Sequence, residues 1–486
     1  MGIEAEIRRA VKRIAALERR QNILKTDEEI EDIIADTTKK IFDVKYKFDF
    51  GCFEKHIITQ NDKKRKIVRY TDPYSIENIL CLSIKQILDK TFKIKYPNRN
   101  RISHTLFDII AAISSMSDFT LIRFDFKDFF NSISADYAFQ KFIKAKLTNR
   151  FDQELIGKFC QESGYCYAGL STSNIIAEIL SIKFDEILIQ KFSDKGLIFY
   201  QRYIDDGILV FNQYQESKRI QDELQEAVNR IFHDNSVKSH LKCRTKLNND
   251  KFQYISRRRL TQYLEEGPSD KSSSTCDFKF DFLGYNFTFN FDGKDRKSNG
   301  DKNKISVEYG ITEAKQRKYK RRIAKIVSNY RNSEEPEAKK LELLRHRLMA
   351  FTRRTVYLTK HFNSRVWKVK GFVSNYGELR EMINTSQIDR STEEFLKNMI
   401  EDVFKEMKID LPYFMKHRSD TACGYNLYDN LRKNKTLLLV QDLGYSYDSL
   451  CKLCEQINIE TNSKNGDTRD YDKLVREYLI KVKVGY

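Results

Sequence analysis

The sequence predicts an α+β fold, and three observations lead there. Three stretches, "FTLIRFDFKDFF" (119–130), "LIFYQRYIDDGILVF" (197–211) and "FKFDFLGYNFTFNF" (278–291), are rich in the β-branched and aromatic residues that strands favour. Segments with helical periodicity lie before and between them, and the C-terminal third reads as helical and basic. With 40% apolar and 32% charged residues and only five prolines in 486, the chain is a folded protein with length for two to four domains or subdomains.

The elements follow in order. "MGIEAEIRRAVKRIAALERR" is a charged amphipathic helix without the apolar core of a secretory signal, and Glu6 stands where a myristoylation signal wants Ser or Thr. "TDEEIEDIIADTTKKIF" is a second helix, with Thr26 as N-cap before acidic first-turn residues. "DKKRKIVRYTDPYS" is a basic, strand-like piece ending at Pro73, and a helix over about 75–91 follows. "KYPNRNRIS" reads as a cation-rich loop and 105–117 as a helix. Beyond the first aromatic strand come helices over about 135–148 and 151–162, and the long "STSNIIAEILSIKFDEILIQKF". A helix over about 215–232 leads from the hairpin at 197–211 to "LKCRTKLNNDKF" and the polar loop "EEGPSDKSSSTCD". The third aromatic stretch is expected as one strand, followed by a Gly/Lys/Asp/Asn-rich connection and then mostly helix; no internal repeat is evident.

Charge narrows the partners. Lys plus Arg exceed Asp plus Glu by 87 to 69, giving +18, which favours a polyanion. The densest run, "KQRKYKRRIAK" at 315–325, carries seven cations and no acid; as a helix it sets Tyr319 and Ile323 four apart. Such a run is commonly a solvated face, but the aromatic residue and the absence of acids favour phosphate contact. No apolar-faced helix accompanies the charge, and the apolar runs are too short to cross a bilayer, so no membrane partner is expected. The nine cysteines are dispersed: Cys451 and Cys454 form a lone CxxC that reads as a helix-borne pair in a reducing cytoplasm.

The hairpin at 197–211 poses the chemical question, because Asp205 and Asp206 interrupt an apolar run. Asp-Asp-Gly is good turn chemistry, with Gly207 available for positive φ. Alternatively, Mg²⁺ would cancel the repulsion between neighbouring carboxylates, and would then need another carboxylate from a different strand. Asp125 meets that need. It sits in an aromatic strand, with Phe124 and Phe126 facing the other way, where a lone buried Asp is costly. Asp128, near the strand's end, could cap the following segment. Carboxylates from two strands around one or two Mg²⁺ ions are what in-line phosphoryl transfer uses.

"FDFKDFF" and "YIDD" resemble motifs A and C of reverse transcriptases. "GLSTSNIIAEI" is similar to motif B, "KLNNDKF" to motif D, "FLGY" to the primer grip of motif E, and "RKIVRYTDP" to the fingers strand that holds the triphosphate. The resemblance covers roughly 60–290 and extends weakly into the basic helix. It implies a right-hand polymerase fold: an N-terminal helical segment (1–50), fingers and palm (51–300), a helical basic thumb (301–385) and a helical C-terminal extension (386–486). It implies Asp125, Asp205, Asp206 and the Phe126 carbonyl as ligands of two Mg²⁺ ions, and Lys251 as proton donor to the leaving pyrophosphate. By the same resemblance Arg65, with Lys64 or Arg69 as alternatives, contacts the triphosphate. Phe130 excludes a ribose 2′-hydroxyl, unless it is only core beside Phe129, and Gly169 admits the nucleotide. Tyr203, Leu283, Gly284, Lys318, Arg321 and Arg322 line the primer and template.

Ala168, Ser171 and Asn174 depart from the Pro- and Gln-bearing form of motif B, which places the likeness nearer to bacterial retron, abortive-infection and other defence-associated reverse transcriptases. The implied function is RNA-directed DNA synthesis in antiviral defence. The implied partners are dNTPs, a noncoding RNA template or DNA product, and a further copy or partner protein. Untemplated or protein-guided DNA synthesis, and an inactive nucleic-acid scaffold, are the alternatives.

Overall fold

The computed structural model describes residues 3–18, 25–43, 47–60, 63–258, 278–291, 305–361, 364–416, 425–461 and 468–483. The chain forms two compact units, Met1–Ile102 with Met116–Cys276, and Ser103–Ser115 with Asp277–Tyr486. Helix and strand are mixed in both.

The first unit opens with helices Ile3–Glu18 and Asp27–Phe42. The second starts at a reciprocal cap, as expected: Thr26 Oγ1 accepts from the Glu29 N–H at 3.1 Å, and the Thr26 N–H donates back to Glu29 Oε2 at 2.6 Å. A basic hairpin follows, β1 (Glu54–Gln60) and β2 (Lys63–Arg69), then helix Ile76–Phe92 capped by Ser75. Helix Arg99–Ile113, whose residues from Ser103 on belong to the second unit, begins six residues before the predicted start at 105 and ends before the predicted 117. Asn98 explains the earlier start, because its side chain accepts from the Asn100 N–H at 3.0 Å and satisfies a first-turn donor.

The centre of this unit is an antiparallel sheet in the order β4-β5-β3-β6, formed by β3 (Thr120–Asp125), β4 (Leu197–Tyr203), β5 (Asp206–Phe211) and β6 (Gln253–Ser256). Alternation divides each strand between two faces. Phe124, Leu209 and Phe211 enter the hydrophobic core with helices Ser173–Phe192 and Ser217–Phe232. The Phe124 ring meets Phe184 at 6.0 Å and Phe126 meets Phe232 at 5.8 Å. The helix predicted over 135–148 is broken into a turn at Ala135–Ala138, a π turn at Phe139–Ile143 and a 3₁₀ turn at Lys144–Lys146.

The second unit corrects two expectations. The stretch 278–291 is a hairpin rather than one strand: β7 (Lys279–Phe282) and β8 (Tyr285–Phe291) are joined by Leu283 and Gly284, at φ 54° and 87°. Left-handed φ at both central residues is the two-residue turn that suits strand twist, and glycine at the second position favours it. The C-terminal third also contains strands. β9 (Ile305–Ile311) completes the sheet β7-β8-β9, its Ile305, Val307 and Tyr309 buried between exposed Ser306 and Glu308. β10 (Arg354–His361), β11 (Ser364–Lys370) and β12 (Thr436–Leu439) form another sheet in the order β11-β10-β12. The aromatic ring of Phe107 packs on Tyr285, Phe287 and Tyr309 at 5.0–5.3 Å. The basic run at 315–325 lies in helix Glu313–Arg331, whose Tyr319, Ile323, Ile326 and Val327 form the buried stripe. Among the described residues, no helix is long and apolar enough to cross a membrane.

Candidate active site

Asp125 and Asp206 are direct partners across β3 and β5, so their side chains share one face of the sheet. Asp125 is 2% exposed. Lys251 Nζ donates to its Oδ2 at 2.7 Å and Asn248 Nδ2 to its Oδ1 at 3.1 Å. Backbone bonds deliver both residues: the Lys127 N–H donates to the Lys246 carbonyl at 2.9 Å, and the Asn248 N–H to the Asp125 carbonyl at 2.8 Å. "KLNNDK" thus runs antiparallel past the end of β3, bridging Leu247 to Phe126.

Asp205 sits in the two-residue turn closing β4 and β5, where Tyr203 pairs with Asp206. Its neighbour Ile204 takes φ 63°, a conformation a β-branched residue rarely adopts. Gly207 therefore does not supply the positive φ, as the sequence suggested; it faces Phe124, whose ring would lie 2.2 Å from an added Cβ. The turn is held from within. Arg202, 5% exposed, donates through Nη1 to the Ile204 carbonyl at 2.8 Å. The same guanidinium reaches Glu178 at 2.9 Å and Asp185 at 2.9 Å on helix Ser173–Phe192, and Tyr200 donates to Asp185 at 2.6 Å. Burial works against the Arg202 charge, but Asp185 and Glu178 more than offset it and hold the guanidinium protonated.

Asp205 and Asp206 are raised from the ordinary carboxylate range. Burial lifts Asp205, and Asp125 adds to this, while Lys251 and Arg65 pull it down. Burial lifts Asp206 to about 6, against the pull of Arg123, with Asp205 and Asp125 adding repulsion. Arg123, two residues before Asp125 on the same face, donates to Asp206 at 2.8 Å and to Gln253 at 3.2 Å. Asp205 alone takes no bond from another described side chain. Among the described residues, no three or more His, Cys, Asp or Glu side chains are gathered as a ready ligand set. The donors present nevertheless suit a hard divalent ion: among the described residues Asp205 takes no side-chain bond, and a cation beside it and Asp125 would offset the burial and repulsion that raise it.

The other predicted residues divide by unit. In the first, Arg65 is exposed on β2 and its charge reaches Asp205; Arg69 is exposed on the same strand. Lys64 lies on β2 with its side chain outside the described residues. Gly169, at φ 113°, would place a Cβ 2.1 Å from the Val68 carbonyl, and the Val68 N–H donates to the Ala168 carbonyl at 2.9 Å. The close approach at Gly169 is thus to the β2 backbone. Phe130 is half-buried, 5.5 Å from the Phe129 ring, and Tyr203 is half-buried at the end of β4. Asp128 makes no side-chain cap; its Oδ1 accepts from Asn131 at 2.7 Å. In the second unit, Leu283 and Gly284 form the β7–β8 turn, where a Cβ on Gly284 would meet Lys315 Cε at 2.8 Å. Lys318, Arg321 and Arg322 lie on helix Glu313–Arg331.

Sequence reasoning missed Arg123, Arg202, Glu178, Asp185 and Asn248. Two signals were available: Arg123 is in step with Asp125, and Arg202 is a charge inside an aromatic strand.

No known protein family matches the chain, and no curated protein matches it. Among solved structures it is similar to an apo telomerase from Candida tropicalis truncated of its C-terminal domain, at 14% identity and TM-score 0.29, over 49% of this chain and 53% of that one. It is also similar to a telomerase from Candida albicans in complex with a fragment of telomeric RNA, at 11% identity and TM-score 0.34, over 88% of this chain. The match spans 63% of the C. albicans chain.

Proposed function

We propose that the chain is an RNA-directed DNA polymerase of the right-hand type, adding deoxynucleotides by two-metal nucleotidyl transfer. The observation that carries this reading is Asp205: a carboxylate without a side-chain bond among the described residues, raised by burial and by Asp125, on a strained turn braced by Arg202. Asp125, Asp205 and the Phe126 carbonyl would hold two Mg²⁺ ions, with Asp206 beside them. Bound there, the ions supply charge neutralisation for attacking and leaving oxygens.

The chain's own residues supply the rest. Arg65 binds the triphosphate, with Lys64 and Arg69 as its neighbours on β2. The primer 3′-hydroxyl gives its proton to water as its oxygen bonds to the α-phosphorus, and the bond from that phosphorus to the bridging oxygen breaks. Lys251, released from Asp125, gives a proton to the departing pyrophosphate. Phe130 excludes a 2′-hydroxyl, Gly169 keeps β2 close to the nucleotide site, and Tyr203, Leu283, Gly284, Lys318, Arg321 and Arg322 contact primer and template. A role in bacterial antiviral defence, with a noncoding RNA as template, rests on the sequence resemblance.

A second reading, a nucleic-acid scaffold without chemistry, is favoured by the pairing of Asp125 with Lys251 and of Asp206 with Arg123. DNA synthesis by the full chain separates the two. Wild type with Mg²⁺, dNTPs and its co-purifying RNA is expected to make labelled product that RNase pretreatment removes. Asp205→Ala is expected to lose at least about 10²–10³-fold of the rate. Product surviving RNase supports untemplated synthesis, and retained nucleic acid without product from either protein supports the scaffold.

A further inference from the structure

Residues 354–370, the β10–β11 hairpin, carry Arg354, Lys360, Arg365, Lys368 and Lys370 and no acidic residue. β11 is the edge strand of its sheet, and six of its seven residues are exposed. It bears the only tryptophan of the chain, Trp367, which is 55% exposed. Trp367 pairs across the hairpin with Leu358, and Val369, 47% exposed, pairs with Val356. By alternation these four share one face with Arg365, while Lys368 and Lys370 stand on the other beside Tyr357. Lys370 Nζ lies 5.2 Å from the Tyr357 ring centre, and Arg365 is anchored to Asp472 at 2.6 Å.

An exposed indole on a hydrophobic edge is a liability unless something covers it. A second copy is a poor occupant, because a two-fold contact along β11 would gather the Arg365, Lys368 and Lys370 charges of both copies on one seam with no acidic residue of the strand to offset them. We propose that β11 is a docking strip for single-stranded nucleic acid, with Trp367 stacking a base while Arg365, Lys368 and Lys370 take phosphates. Stacking accepts any base, and the cations follow the backbone around the edge of the sheet. The strip deepens the polymerase reading by naming a contact for its template or product, and rests on that reading only for the strand's identity.

The single tryptophan makes the test direct. The full chain, without dNTPs or Mg²⁺, is titrated with short oligouridylate and, separately, oligothymidylate, each end-labelled. Tryptophan emission is expected to fall as either strand binds, and the two arms tell RNA from DNA. Trp367→Ala is expected to weaken binding about tenfold by anisotropy of the label. Lys368→Glu with Lys370→Glu should lower the log–log salt slope by about 1 to 2. The Asp205→Asn chain is expected to show the same quench, so a protein that makes no DNA can still pass this test. Binding with unchanged emission and equal affinity in Trp367→Ala overturns the proposal. An emission change produced by protein concentration alone, or by anionic lipid vesicles but not by either strand, also overturns it.

Discussion

Two hairpin turns of the same length behave oppositely. Between β7 and β8, Leu283 and Gly284 both take left-handed φ, and the glycine sits where the turn needs it. Between β4 and β5, the turn has no glycine; Ile204 takes φ 63° and Asp205 follows it, leading into the largely buried β5. The first turn follows from local preference. The second violates it and is held by the bond from Arg202 to the Ile204 carbonyl, itself fixed by Glu178 and Asp185. Strain and a raised carboxylate at one turn, with a network behind it that holds the strained residue, are what the proposed metal site would require of that turn.

The largest effect that would break this contrast is expected at the brace. Arg202→Met leaves buried Glu178 and half-buried Asp185 without their cation and should cost about 3–5 kcal/mol in denaturant unfolding. It should also lower DNA synthesis in the molecules that remain folded. A small stability change would show that the network does not hold the turn.

A smaller effect is expected from protons. Burial pushes Asp206 up to about 6 in the folded chain, against roughly 4 unfolded. Between those values the folded state keeps a proton that the unfolded state has lost. Stability of the metal-free protein should therefore be greatest at or below roughly pH 4 as far as this group is concerned, and fall by about 2–3 kcal/mol as pH rises from there to above 6. Asp205→Asn removes a like charge and should flatten that slope in melts across this range. An unchanged slope would relieve Asp205 of its part in the repulsion.

The smallest effects compare the turns directly. Leu283→Asn supplies the residue that the β7–β8 turn prefers and should stabilise by about 0.5–1 kcal/mol. Ile204→Gly relieves a similar backbone cost but adds chain entropy and loses packing, so the melt should move little while synthesis falls. A deep loss of stability in Ile204→Gly would mean that Ile204 serves the core rather than the turn.

How much of this was legible in the sequence depends on the range of the interaction. The Thr26 cap, the helix start near Ser75 and the shared helical face of Tyr319 and Ile323 were legible because caps and helical faces are set within a few residues, whereas the burial of Tyr319, expected to favour phosphate contact, was not. The association of Asp125 with the Asp205–Asp206 turn was legible because a buried carboxylate demands a partner. β9 was missed although "ISVEY" alternates, because it follows a strongly polar connection. The sheet β11-β10-β12 was missed because β12 pairs in parallel with β10 from 75 or more residues away, which no local pattern encodes. Arg202 and Glu178 were missed for the same reason: their partnership exists only after a strand packs on a helix.

The measurement that tests the central claim most directly is the number of Mn²⁺ ions bound by the full chain with a dNTP, by electron paramagnetic resonance, in wild type and Asp205→Asn. Ions bound by wild type and lost in Asp205→Asn, with the fold unchanged by circular dichroism, are what a metal–nucleotide site on the β4–β5 turn predicts. Equal binding by both proteins, or none by either, would contradict it.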